Sequence, residues 1–350
     1  MKKIFEAWQV KISDYPNDQN ISLQIRFLLR FAVLAPSAHN TQPWLFAVEE
    51  NKIFVYLDKT RVLGLSDPTT RQTYVSMGAM IFNILCAASY FGFSTQVDYL
   101  PHDNAENLKS KLLAVINLSK SGQGGKSFGD LLPYISKRHS AKLAYLDNKL
   151  SSDQIGDVSH LSSPGMELKF FFNKEDIVKM AEIVYLGTRE AFANNDFCIE
   201  LSQWVRSSWS DRLDGMPAVT VGVPAILSGL IPWAIAHLDT GKMQARDAGK
   251  LVANTPGIGI IGVAEENQLS WLRAGELFEQ TALTLKSIGF DCALMGAPTE
   301  SATASARLKS LAKLNSFPAL FFRFGVSQKP VLFSPRRDAD QCIINHHQHV

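Results

Sequence analysis

The sequence predicts an α+β protein built from two fused halves, with antiparallel-type mixed sheets packed through long apolar helices. The first observation is an internal repeat. Residues 71–93 read RQTYVSMGAMIFNILCAASYFGF and residues 273–290 read RAGELFEQTALTLKSIGF. Each opens on an arginine, passes a glycine into an apolar helix and closes on Gly-Phe. The second observation is that strand-like runs accompany both copies: WLFAVEE, KIFVYLD and LLAVINLS in the first half, GIGIIGVAEE and FPALFFRFGV in the second. The third is SGQGGKSFG, residues 121–129, which has the composition of a flexible linker. These place the halves at 1–125 and 126–350, the second with a lid-like insertion at about 200–240.

The elements follow in order. MKKIFEAWQVKISDYP has two lysines and no long apolar run, so it is not a secretory signal. FLLRFAVL reads as the end of a helix. APSAHNTQPW, residues 35–44, follows it. Its two prolines bar a helix interior and it is too polar for a strand, so it is a shaped loop of the kind that holds ligands. Gly92 and Gly289 stand where a left-handed residue closes each long helix. Between Trp204 and Leu238, Trp209 and Trp233 alternate with Pro217, Pro224 and Pro232. An interior proline costs about 3 kcal/mol, so this stretch cannot be one helix. It reads as an apolar cover with defined bends, and Asp211, Arg212 and Asp214 read as a polar hinge.

Composition excludes several classes. The chain has 350 residues, 46% apolar and 19% charged, with net charge +2. That balance gives no case for a nucleic-acid groove. Cys86, Cys198, Cys292 and Cys342 lie far apart without a CxxC, which is neither a zinc site nor a disulfide framework. They suit a reducing compartment, and a cytoplasmic location is expected. Two uncharged stretches, 72–97 and 215–238, are candidates for membrane spans. The first carries Ser76, Asn83 and Ser89 and reads as a helix buried on all sides; the second is too broken to span, so no membrane is expected. GIGIIG reads as a strand with no helix start after it, not as a dinucleotide-binding turn. The tail histidines His346, His347 and His349 sit on no rigid element, and no metal site is expected.

The charges point to one composite site. APSAHNTQPW carries no formal charge beyond a possible one on His39, but offers donors from Ser37, Asn40 and the backbone. KRHSAK, residues 137–142, alternates Arg138, Ser140 and Lys142, which share one side of an extended segment. A forked donor, a hydroxyl and a point charge suit a phosphate; a solvated basic turn is the plain alternative. Each half holds only one of the two motifs, so one site is kept and its counterpart lost. No nucleophile or triad is found, and His39 reads as structural.

These residues resemble the nitroreductase family of FMN-binding flavoproteins, in which a motif R-R-S-x-R and a turn A-P-S-x-x-N-x-Q-P-W both occur. DPTTR, GAMIFN, VDYLP, WLRAG, FPA, RFG and the ending SPRR resemble more narrowly the Acg-type branch, in which two units are fused. Here R-R-S-x-R is replaced by RHSAK. The resemblance implies a nitroreductase-like fold in which the halves mimic a homodimer, so a monomer. It implies FMN lined by Pro36, Ser37, Ala38 and Asn40, its phosphate held by Arg138, Ser140 and Lys142 with Arg323 as a further cation, and Met295 and Gly296 at the N5 edge. Gln42, Pro43 and Trp44 would lock the loop, Trp44 as a packed aromatic. No catalytic side chain is needed, because flavin N5 carries hydride from NADH or NADPH to a nitroaromatic, quinone or similar small molecule. The alternative is an FMN storage or shielding protein with a closed lid.

Overall fold

Asn20 caps the first long helix, α1 (Ile21–Ala32), by accepting from the Leu23 N–H at 3.0 Å. A two-stranded hairpin follows, β1 (Trp44–Glu49) and β2 (Lys52–Asp58), then α2 (Arg71–Tyr90), β3 (Phe93–Tyr99) and β4 (Ser110–Lys120). Two short helices, α3 (Leu132–Ile135) and α4 (Ser152–Ser159), lead to β5 (Met166–Phe171). A helical excursion comes next: α5 (Lys174–Ala193), α6 (Asn195–Trp204), the two-residue strands β6 (Val205–Arg206) and β7 (Met216–Pro217), α7 (Ile231–His237) and α8 (Gly241–Ala253). The chain then forms β8 (Gly257–Val263), α9 (Gln268–Ser287), β9 (Asp291–Leu294), α10 (Ala297–Glu300), α11 (Ala302–Leu311) and β10 (Phe317–Gly325). This computed structural model describes residues 3–101, 109–120, 128–330 and 332–345. Most of the expected linker, 121–127, and the tail histidines lie outside the described residues.

The two sheets have the same topology. Their strand orders are β1-β2-β4-β3 and β5-β8-β10-β9, with every neighbouring pair antiparallel. In both, a long helix leaves the second strand and returns to the edge strand, and the last strand then fills the gap. α2 and α9 are therefore equivalent, and each has twenty residues. Gly92 at φ 78° and Gly289 at φ 89° close them in the left-handed region. α2 is long and apolar enough to cross a membrane, yet 83% of that window is buried inside the protein. It is a core helix.

α2 and α9 meet backbone to backbone. A Cβ on Gly78 would lie 1.9 Å from the Leu272 carbonyl oxygen, and one on Gly275 would lie 2.1 Å from that of Val75. Leu272 is three residues before Gly275, and Val75 is three before Gly78. Such reciprocity is the mark of a two-fold-related contact. Around the crossing one apolar core draws on both halves, from Ile25 and Phe46 to Phe278 and Phe322.

The halves differ between their first two strands. β1 and β2 are joined by a tight turn, whereas β5 and β8 are separated by residues 172–256. The extra chain is thus longer than the 200–240 expected, because α5 and α8 belong to it. They pack together over the outer face of the second sheet, through Ile177, Met180, Val184 and Val252. Residues 195–238 keep a small core of their own, including Cys198, Leu201, Ala218 and Ile235. The chain ends also cross between halves. The Ile344 N–H donates to the Phe46 carbonyl at 2.7 Å, and Trp8 Nε1 donates to the Ser334 carbonyl at 2.9 Å.

Gly275→Ala should lower stability by about 1–3 kcal/mol in chemical denaturation, because the added methyl drives the helices apart. The sign is the informative part, since the same change in an open helix stabilises by about 1 kcal/mol. Gly229→Ala, with no atom within 4 Å of its added Cβ, should change stability by less than about 0.5 kcal/mol.

Candidate active site

A cavity of about 450 Å³ lies between the halves. That volume is in the usual range for small-molecule and cofactor sites. One wall is the 36–40 loop with the first turns of α2, at Gln72, Val75, Ser76 and Ala79. The facing wall is Ser140 and Lys142, the 294–297 turn after β9, and Ala319–Phe321 of β10. Gly187, Ala191, Asn194, Phe197 and Met216 close it from the excursion, and Ser334 and Arg336 from the C-terminal segment.

The loop holds an unusual backbone. His39, Asn40 and Gln42 all have left-handed φ, at 47°, 57° and 54°. Non-glycine residues reach this region only when their surroundings fix them there, and Asn is among the best suited. The surroundings here are hydrogen bonds. Ser37 Oγ accepts from the Gln42 N–H at 3.0 Å, and the Ala38 N–H donates to Ser76 Oγ at 3.1 Å. Asn40 Nδ2 donates to the carbonyls of Gly215 and Pro335, at 2.9 and 3.0 Å. Gln42 Nε2 donates to the Leu213 carbonyl at 2.6 Å, and its Oε1 accepts from the Arg337 N–H at 2.8 Å. The loop thus ties α2, the excursion and the C-terminal segment together. Trp44 is fully buried, a packed aromatic rather than a stacking platform.

Of the ten residues singled out by sequence, eight line the cavity: Pro36, Ser37, Ala38, Asn40, Ser140, Lys142, Met295 and Gly296. The Met295 N–H is already donated to the Phe321 carbonyl at 2.9 Å, which leaves Gly296 to present a backbone donor. Arg138 and Arg323 do not reach the cavity. Arg138 follows a helical turn, its N–H donating to the Tyr134 carbonyl at 2.9 Å, so the extended alternation with Ser140 and Lys142 does not hold. Its guanidinium turns inward, where Nε lies 2.9 Å from Glu279 Oε1 of α9 and Nη2 donates to the Leu34 carbonyl at 3.0 Å. Glu279 is wholly buried and needs that charge. Arg323 lies behind the wall. It donates to the carbonyls of Ala141 and Leu143 at 3.0 and 2.8 Å, and stacks over the Tyr145 ring. It shapes the segment that presents Ser140 and Lys142.

The cation that sequence reasoning missed is Arg336. Its Nη1 donates to Asn40 Oδ1, its Nη2 to the Ala35 carbonyl at 3.1 Å, and its buried Nε has no hydrogen-bond partner among the described residues. SPRR was the available signal, since Ser334 and Arg336 both line the cavity. Lys142 makes no hydrogen bond or ion pair among the described residues. Burial and the Arg336 charge push its amine down to about 8. Burial and Arg138 push Arg336 down to about 9, against the pull of Glu279. His39, pushed down to about 4 by burial and then by Lys142, is neutral at pH 7. This end of the cavity is therefore prepared for an anion. Glu190 and Glu300 also line the cavity, Glu300 being paired with Arg71 at 3.1 Å.

The cover is pinned, not hinged. Glu200 of α6 accepts from the N–H groups of Gly64, Leu65 and Ser66, at 2.8, 3.1 and 2.6 Å. Asp214 pairs with Arg61, Arg206 and Arg212 at 3.2, 2.9 and 3.0 Å. Burial alone would raise the Asp214 carboxyl; the bonds and charges of Arg212 and Arg206 outweigh it and hold it at about 2. The expected hinge is thus a clamp. Of Trp204–Leu238 only Met216 lines the cavity, while Trp209 and Trp233 are 71% and 57% exposed. The rest of the cover comes from α5 and α6.

The mirror position carries different side chains. Counted from the crossing glycines, Arg273 and Glu276 of α9 correspond to Ser76 and Ala79 of α2. Tyr99 Oη donates to Glu276 Oε1, and the Arg273 guanidinium lies 4.2 Å from the centre of the Tyr99 ring. Bulky paired groups stand where α2 leaves room for the cavity.

Comparison with known proteins agrees with this fold. No protein-family model matches the chain. Among solved structures, a "putative nitroreductase" from Anabaena variabilis aligns over 93% of this chain and 91% of its own, with a TM-score of 0.51 and 10% identity. The chain has the nitroreductase fold. A Mycobacterium tuberculosis protein named "Putative NAD(P)H nitroreductase" is 24% identical over 324 residues, which is 91% of this chain and 90% of that protein. Another from the same organism, named "Putative NAD(P)H nitroreductase acg", is 32% identical over 80 residues, 23% of this chain and 24% of that protein. The resemblance to the family and to its Acg-type branch is borne out.

Arg138→Met should cost about 3–5 kcal/mol in chemical denaturation, because it strands the Glu279 carboxylate. The double variant Arg138→Met/Glu279→Leu should recover most of that loss. Equal cost in both variants would show that Arg138 acts through other contacts.

Proposed function

We propose that the protein is an FMN-dependent NAD(P)H oxidoreductase that reduces a nitroaromatic, quinone or similar small acceptor. The observation that carries this reading is the cavity between the halves, with the 36–40 loop on one wall, the half-buried Lys142 on the facing wall and the buried Arg336 beside the loop. The M. tuberculosis relatives named as NAD(P)H nitroreductases support the class of reaction.

The residues present fit the cofactor. Among the described residues Lys142 lacks a partner, and Arg336 brings a second cation to the same cavity. A phosphate dianion would answer the Lys142 amine and the neighbouring Arg336 charge, with the Ser140 hydroxyl as a further donor. Pro36, Ser37, Ala38 and Asn40 would hold the flavin from the first half, and Met295 and Gly296 from the second. When bound, FMN supplies hydride transfer at its N5. The chain's own part is positional. The loop is fixed by Asn40 and Gln42, and α6 and Met216 exclude water. His39 is the neutral imidazole at pH 7 and not the imidazolium acid, and no side chain is assigned as catalytic. The intrachain pairing of α2 and α9 supplies what two single-unit chains would supply in a homodimer, so the working form is a monomer. Four free, buried cysteines suit a reducing compartment such as the cytoplasm.

A second reading, storage or shielding of FMN, is favoured by the Glu200 and Asp214 clamps, which hold the cover down. Anaerobic mixing of the flavin-loaded protein with NADH and NADPH separates the two. The enzyme reading expects loss of the yellow colour with at least one donor and its return on adding a nitro or quinone acceptor. Bleaching by dithionite alone would establish shielding instead.

Lys142→Met and Arg336→Met should each weaken FMN binding by about ten- to a hundredfold, as charge-assisted hydrogen bonds contribute about 1.5–3 kcal/mol. Riboflavin, which lacks the phosphate, should be much less affected. Lys142 is charged below its value of about 8, so FMN affinity should be flat at neutral pH and fall as pH rises through about 8. Lys142→Met should remove most of that fall. Titration by flavin fluorescence measures all three.

A further inference from the structure

The excursion has an outer face that no described residue covers. Ile226, Leu230 and Trp233 are 85%, 63% and 57% exposed. Ile226 stands in a short turn, Leu230 at the entry to α7 and Trp233 in its first turn, so the three lie within eight residues of one exposed segment. Leu227 and Leu238, 49% and 51% exposed, extend the patch. The inner side of the same segment is already satisfied, with Ile235 buried in the small core beside Cys198 and Leu201. From residue 215 to residue 236 the sequence has no Asp, Glu, Lys, Arg or His.

We infer that this face docks on the interfacial zone of a lipid bilayer that contains anionic lipid, a surface attachment that departs from the expectation of no membrane, which rested on spanning segments alone. Two observations favour lipid over a second protein. First, the patch offers almost no polar register. Ser228, the one hydroxyl among 225–233, is fully buried; its Oγ donates to the Ala225 carbonyl at 2.6 Å and accepts from the Ser208 N–H at 2.9 Å. Protein interfaces carry regular hydrogen bonds that fix orientation, whereas an apolar phase needs none. Trp233 presents an amphipathic ring of the kind enriched at membrane interfaces. Second, α8 follows the patch directly with Lys242, Arg246 and Lys250, all exposed and recurring every four residues along one flank. Cations that follow a short apolar segment closely in the chain are the pattern of surface-bound, non-spanning attachment. Asp239 accepts from the Gly241 N–H at 3.3 Å, and Asp247 lies about 100° round the helix from Arg246. The inference is independent of what the cavity binds.

The test is sedimentation of the full chain with sucrose-loaded vesicles of phosphatidylcholine, with and without phosphatidylglycerol. The protein should pellet with the anionic vesicles, less at high salt and less with phosphatidylcholine alone. Ile226→Asp/Trp233→Asp, two outward positions, should weaken partition about tenfold while leaving circular dichroism unchanged. Brominated lipid gives a second readout without any substitution, since it should quench tryptophan fluorescence of the unmodified chain. Absence of pelleting with either vesicle, or pelleting of the double variant at the unmodified level, would overturn the inference. So would a concentration-dependent dimer in light scattering that the double variant abolishes while vesicles leave the chain unbound.

Discussion

The absence of side chains at Gly78 and Gly275 lets the backbones of α2 and α9 touch, and the cavity exists because of that contact. With any larger residue at the crossing, the helices would stand further apart. The walls they carry, Ser76 and Ala79 on one side and Phe278 on the other, would separate with them. The reciprocal geometry also places the end of each sheet beside the other half's long helix. The 36–40 loop therefore shares one cavity with Ser140, Lys142 and the turn after β9, although these lie in different halves. Close packing makes such an arrangement rigid, which a site assembled from distant segments requires.

Charge gives the cavity its direction. Arg138, Arg336 and Lys142 gather near one end, and the wholly buried Glu279 neutralises only part of them. Burial raises the Glu279 carboxyl, and the charges of Arg138 and Arg336 pull it back. A cluster of this kind is unfavourable when empty and becomes favourable when an anion enters, so its cost is tied to ligand binding. At the mirror position Tyr99, Arg273 and Glu276 satisfy one another instead. Burial pushes the Glu276 carboxyl up to about 7 despite both partners. One crossing thus supports one prepared cavity and one plugged position.

Much of this was legible in the sequence because it depends on short-range signals. The closing glycines, the apolar helices and the A-P-S-x-x-N-x-Q-P-W loop are local patterns, and each lies where the sequence puts it. What failed depends on partners far along the chain. Arg138 looks like a phosphate ligand until Glu279 is seen to lie beside it. Arg336 enters the cavity only because the C-terminal segment crosses to the first half. The extent of the excursion was hidden because α5 and α8 resemble ordinary amphipathic helices, and only the two sheet orders show that they have no counterpart. Asp211, Arg212 and Asp214 suggested a hinge by composition, yet Arg61 and Arg206, from outside the motif, turn Asp214 into a clamp.

The claim on which the rest stands is that two fused halves form one composite FMN site. Flavin released by denaturing the reconstituted, gel-filtered protein, compared with protein concentration, measures it directly. One FMN per chain is the predicted result. Two would show that the Tyr99–Arg273–Glu276 position is open to ligand, and none would contradict the assignment of the cavity to FMN.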